Sequence, residues 1–292
     1  MRFKSLIYYP TLLFILIFNG CDNPLSVDEG QWISDIPFTY TLLGTEHTLP
    51  HDNRIYESAN FLIFSDASSD EVKKKIARMA EKSLVELKLA FNISSSEELG
   101  IINRESKVII FADRYQNYSQ IYFPCGIIIF SIDSPKNAFG ENYNRLVMHE
   151  LMHVFQHLLG LGLDGYDYWP EVWFSEGIAE YMSGGTQGTI TNMNQVNEWF
   201  ADEAHINPIS IHKFNDYAGP YNRRGEYYPM FELAVRYLLD ERGQGKTLLD
   251  LKNLYEALKN NTPFDDAFES NMGMSITYYE SHFYELISEY LQ

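Results

Sequence analysis

His149-Glu150-Leu151-Met152-His153 sets two imidazoles four residues apart with a carboxylate between them. On a helix four residues is close to one turn, so both rings leave the same face at a separation one metal ion can bridge. An H-E-x-x-H run of this kind is a zinc-site pattern in which the glutamate serves as a base. A second run, Trp173-Phe-Ser-Glu176-Gly-Ile-Ala-Glu180-Tyr181, begins 20 residues after His153. A zinc ion that activates water wants three protein ligands and one open position, and two His with one Glu is a common set. His149, His153 and Glu176 would be that set. Glu180 lies one turn beyond Glu176, where it either accepts a hydrogen bond from the far nitrogen of a ligating His or is a plain surface charge. The five-residue pattern alone arises by chance in roughly one chain per hundred of this length. Two ordinary histidines on a solvated face is therefore the plain alternative, and the second run weighs against it.

Other zinc patterns fit less well. The longer three-histidine form needs Gly and His where Gln156 and Leu159 stand, and no inverted H-x-x-E-H occurs. His157 is a further turn along from His153, and reaching the same ion from there would strain the geometry. It reads as a surface residue or as one that supports the ligands from behind.

Asn142 to Leu159 forms the best-defined helical pattern, with Leu146, Val147, Leu151, Val154, Phe155 and Leu158 on one stripe and Gly160 as a stop. A second helix is expected from near Pro170 to Gly184-Gly185, after a turn-rich stretch containing Gly160, Gly162, Gly165 and Asp167. Two helices so joined can lie side by side and bring Glu176 towards the histidines. Before them come a hairpin between Phe38 and Leu49, a strand at Phe61–Phe64, a helix with Val72, Ile76, Met79, Ala80, Leu84 and Leu87 in phase, and strands at 107–112 and 126–131. After them, residues 227–241, 248–259, 264–271 and 276–291 read as amphipathic helices. The fold class is α+β, a small N-terminal sheet with helices followed by a mainly helical C-terminal half, wholly so from about residue 206.

The 292 residues are 45% hydrophobic and 15% aromatic, which excludes disorder, collagen-like repeats and a disulfide-stapled miniprotein. Asp+Glu 40 against Lys+Arg 22 gives a net charge of −18, which argues against a nucleic-acid partner. Residues 1–20 differ: Arg2 and Lys4 precede an apolar run from Leu6 to Phe18, too short for a bilayer-crossing helix and suited to a secretory signal peptide. Phe18-Asn19-Gly20-Cys21 resembles a bacterial lipobox, which would make Cys21 the lipid-bearing residue, with an ordinary cleaved signal or an uncleaved anchor as alternatives. Removing residues 1–20, with two basic and no acidic side chains, takes the charge from −18 to −20. Residues 21–60 read as a linker and N-terminal extension, and 61–292 as the functional domain. With Cys21 lipidated, Cys125 is the only thiol left, and beside an apolar run it reads as a buried small hydrophobe.

H-E-L-M-H followed by W-F-S-E-G-I-A-E-Y resembles the gluzincin metallopeptidases, and most nearly the small bacterial peptidase-MA-like proteins, over about residues 61–291. The resemblance implies a zincin-like fold, one zinc ion per chain held by His149, His153 and Glu176, and Glu150 as general base in peptide-bond hydrolysis. It implies an oxyanion-stabilising Tyr ahead of a helix: Tyr228, with Tyr227 and Tyr221 as competitors. It also likens the strand at 126–131 to the edge on which such enzymes lay an extended substrate, the other reading being an ordinary buried strand. The interval from His153 to Glu176 is slightly longer than in the best-known members, and the signature that binds a substrate amino terminus is not evident. The expectation is a zinc-dependent peptidase of the bacterial cell envelope, lipid-anchored outside the cytoplasm. The alternative is a catalytically silent zinc-binding or scaffold lipoprotein that uses the same fold to bind protein.

Overall fold

The computed structural model describes residues 30–33, 39–42, 45–48, 55–65, 70–94, 108–113, 120–122, 127–131, 141–161, 171–185, 188–203, 205–212 and 224–292. The signal segment, Cys21, Cys125 and Tyr221 lie outside these residues.

The described strands are β1 (Gln31–Ile33), β2 (Thr39–Leu42), β3 (Thr45–Thr48), β4 (Ile55–Glu57), β5 (Phe61–Ser65), β6 (Val108–Asp113), β7 (Gln120–Tyr122) and β8 (Ile127–Ser131). Strands β2 and β3 make the expected antiparallel hairpin. The other six form one sheet in the order β1-β4-β5-β6-β8-β7. Its centre is parallel, with Phe61 opposite Val108 and Ile110 opposite Ile128, and both flanks are antiparallel. Parallel neighbours need a long crossover. Helix α1 (Asp70–Ala90) supplies the one between β5 and β6, with Asp70 and Glu71 at its positive end and Lys88 at its negative end. Ile76, Ala77, Ala80, Leu84 and Leu87 are its buried side, and Phe61, Ile63, Val108 and Ile110 are buried from the sheet.

Two sequence expectations are corrected here. Part of the segment read as linker and extension belongs to the sheet: β1 pairs with β4 and β4 with β5, and the Trp32 ring stands edge-on to the buried Tyr56 at 5.1 Å. Strands of three residues are too brief to show alternation, which is why they were invisible in the pattern. The strand likened to a substrate-binding edge is β8, which is paired on both sides; among the described residues β7 is the edge on that flank, and it runs alongside the next helix.

That helix is α2 (Glu141–Gln156), which passes into a π-helical turn at His157–Leu161. The rest are α3 (Val172–Ser183), α4 (Met193–Phe200), a 3₁₀ turn at Pro208–Ser210, α5 (Arg224–Leu239), α6 (Leu248–Lys259), α7 (Phe264–Met272) and α8 (Ile276–Tyr290). Helix α3 lies between α2 and α5. Its first N–H groups are satisfied from outside, Val172 and Trp173 donating to the carbonyls of His212 and Ile211. It stops where expected, at Gly184 with φ of 80°. Gly177 sets the depth of its packing: a Cβ there would stand 2.5 Å from the Phe231 carbonyl oxygen and 2.8 Å from Val235 Cγ2 on α5. Trp173 is fully buried among the rings of Phe174, Phe268 and Tyr279. The protein is a mixed α+β fold, mostly helical, with its helices concentrated after the sheet.

Candidate metal centre

Along α2 the apolar stripe Val147, Leu151, Val154, Phe155 and Leu158 is buried as its spacing predicts. The opposite face is buried too. Helix α3 covers it, leaving His149 6% and His153 5% exposed, which removes the reading of two solvated surface histidines. Glu180 is completely buried, so it is not a surface charge. His157 is 1% exposed, which rules out the surface reading for it as well.

Three polar atoms converge between the helices. His149 Nε2 and His153 Nε2 are 3.2 Å apart, and Glu176 Oε2 stands 3.3 Å from the first and 3.4 Å from the second. A tetrahedral ion with bonds of about 2.0–2.2 Å separates its ligand atoms by roughly 3.3–3.6 Å. The triangle therefore already has the size of one face of a zinc coordination shell. Glu176 Oε2 is buried and accepts no hydrogen bond among the described residues.

The other nitrogen of each ring has its own oxygen neighbour. His153 Nδ1 faces Gln156 Oε1 at 2.9 Å, and that amide is oriented by its own Nε2 donating to the Ser175 carbonyl at 2.9 Å. His149 Nδ1 faces Glu180 Oε1 at 3.1 Å. The Gln156 oxygen favours a proton on His153 Nδ1, whereas the Glu180 contact with His149 is a close ion pair without hydrogen-bond geometry. Both Nε2 atoms face each other and the Glu176 carboxylate, so a cation that displaces a ring proton there would meet three ligand atoms. Gln156 is the residue bordering the candidate site that sequence reasoning missed. It is fully buried, it is the last residue before the π turn, and such turns often mark functional sites.

The charges tell the same story. Burial alone would depress the His149 imidazole, but Glu176 and Glu180 outweigh it and hold it well above the ordinary value. Burial would raise Glu176, but His153 and His149 outweigh that and hold it far below the usual carboxylate range. Glu150, 5% exposed, is raised by burial. A buried centre with carboxylates at 150, 176 and 180 around two imidazoles calls for added positive charge. On α5, Glu232 is pushed up to about 7 by burial despite Arg236, whose Nε is 3.2 Å away, and the Glu180 carboxylate raises it further.

The tyrosines separate. Tyr228 is half-buried with its ring centre 6.1 Å from that of His149. It lies inside the first turns of α5 rather than ahead of the helix. Tyr227 is buried on another side, its hydroxyl accepting from the Ile206 N–H at 3.2 Å and its ring edge-on to Trp199. His149, His153 and Glu176 are thus brought together on two adjacent helices as a group able to hold a metal ion, with Glu150, Glu180 and Tyr228 close to it. No protein-family model matches the chain, and no curated protein is recognisably similar to it in sequence.

Proposed function

We propose that the chain is a zinc-dependent peptidase with a zincin-like, gluzincin-type arrangement, anchored by lipid at Cys21 to the outside of a bacterial cytoplasmic or outer membrane. The observation that carries the reading is the buried triangle of two Nε2 atoms and one carboxylate oxygen, 3.2–3.4 Å on a side. One zinc ion held by His149, His153 and Glu176 would supply a Lewis acid that acidifies water and polarises a peptide carbonyl. Glu150 takes the proton of the attacking water and passes it to the leaving amine, and the burial that raises its pKa makes it a stronger base than an exposed carboxylate. Glu180 and Gln156 hold the imidazoles in the ligating tautomer. The Tyr228 hydroxyl donates to the oxyanion that develops on the carbonyl.

The test is metal content together with cleavage of a broad peptide library. Glu150→Gln is expected to keep one zinc at this centre and lose at least about a hundredfold in turnover, because the base is not a ligand. His153→Ala is expected to lose both. A zinc-loaded chain that cleaves nothing, with Glu150→Gln indistinguishable from the parent, would replace the peptidase reading with that of a zinc-binding scaffold.

A further inference from the structure

A second nitrogen–oxygen cluster, built from other residues, sits where the chain turns from α4 towards α5. His205 Nδ1 donates to the Trp199 carbonyl at 2.8 Å. The Trp199 indole stacks on the ring at 4.3 Å and 7°, and Tyr227 closes it edge-on at 5.5 Å. Only 6% of the His205 side chain is exposed. Orientation and tautomer are both fixed, as they are for a ligating histidine whose other nitrogen is held by a carbonyl. Its Nε2 points at Glu226 Oε2, 2.9 Å away, and Asp202 brings a third donor so that all three atoms lie within 4.8 Å of one another. The Nδ1–H is committed to Trp199, so it is the Nε2 side of the ring that faces the carboxylates.

We propose that Asp202, His205 and Glu226 bind a first-row divalent transition-metal ion of the zinc type, which ties the turn after α4 to the first turn of α5. An imidazole with two carboxylates suits zinc or its neighbours, whereas calcium and magnesium prefer all-oxygen shells. The Glu226 side chain is 47% exposed, which leaves the outer coordination positions to water; binding would widen the present 2.9 Å Nε2–Oε2 separation to the roughly 3.3 Å of a coordination edge. The two elements are already sewn together by Trp199 Nε1 donating to the Glu226 carbonyl at 3.2 Å. Two residues beyond Glu226 is Tyr228, whose ring faces His149. Metal at the outer site therefore clamps the turn that presents this tyrosine.

Zinc per chain after equilibrium dialysis, together with quenching of tryptophan fluorescence by Co²⁺, tests the assignment on the full chain. Two zinc ions are expected for the parent, and one each for Glu226→Gln and for His153→Ala. A cobalt quenching step from Trp199 is expected in the parent and in His153→Ala and is absent in Glu226→Gln. Glu226 is at the surface, so its substitution does not threaten folding. Equal zinc content and equal quenching in the parent and Glu226→Gln would overturn the second site. Failure of the inner site reads differently, as a His153→Ala chain that holds as much zinc as the parent.

Discussion

A histidine that ligates through Nε2 must have its Nδ1 proton held, and the two rings of α2 do this unequally. His149 leans on the fully buried Glu180 carboxylate, and His153 on the neutral Gln156 amide. A carboxylate partner makes an imidazole the stronger donor, so zinc bound at the proposed centre would meet a stronger nitrogen ligand in His149 than in His153. Gln156→Ala is expected to weaken zinc binding about 10- to 100-fold while saturating zinc still restores one ion at this centre. Gln156→Glu keeps an acceptor at Nδ1 and recovers most of the affinity. Competition with a chelator measures both, and a Gln156→Ala chain with parental affinity would remove the amide from the site. The sequence shows the histidines because i, i+4 spacing has direct geometric meaning, and it shows Glu176 through its neighbouring motif. Gln156 was not legible. Three residues past His153 any side chain shares the face, and only the Ser175 carbonyl from the next helix makes this one matter.

At the scale of elements, the ends of α3, α6, α7 and α8 were legible because they are chemical: Gly184 and Gly273 adopt positive φ, and Thr247 and Ser275 cap the N-termini of α6 and α8. Gly160, expected to stop α2, lies inside the π turn, α5 begins at Arg224 rather than 227, and α4 was not anticipated. The order of the sheet was not legible either. It depends on three-residue strands and on which neighbours cover an apolar run, so only the pairing decides between the two readings of the strand at 126–131, in favour of an interior strand. Gly177 was present in the recognised motif without a stated reason, since the atoms that demand it lie on α5. Helix α3 carries Glu176 and Glu180 on either side of this glycine, so its depth against α5 fixes where both carboxylates reach. Gly177→Ala is expected to push α3 off α5, costing about 1–3 kcal/mol by overpacking. The same displacement carries Glu176 away from the imidazoles and lowers zinc affinity. Unfolding in urea measures the first effect and chelator competition the second. Lost stability with unchanged zinc affinity would mean that α3 relaxes without moving its ligand.

At the scale of the whole molecule, buried acids make the metal-free chain prefer mildly acidic solution. Burial raises Glu232 and Glu171 each to about 7, although Arg236 and His212 oppose it. Between about pH 4.5 and 7 these groups hold more protons folded than unfolded, so stability falls as pH rises. His149 adds to the fall: its folded value lies above 6.5, so its contribution is complete below that pH and is lost as pH climbs through the raised value. Glu176 acts oppositely, but its depressed value places that loss below about pH 4.5, outside this window. With chelator present the chain is therefore expected to be less stable at pH 8 than at pH 5.5. Glu232→Gln is expected to reduce the difference by up to about 2 kcal/mol, the part of a shift from 4.5 to about 7 that falls between these two pH values. Zinc reverses the slope, because imidazoles must lose their protons to bind it and affinity rises with pH. Urea midpoints at the two pH values, with zinc and with chelator, measure all of this. Parallel pH profiles in the two series would mean that the buried charge of the centre is balanced by something other than a bound cation.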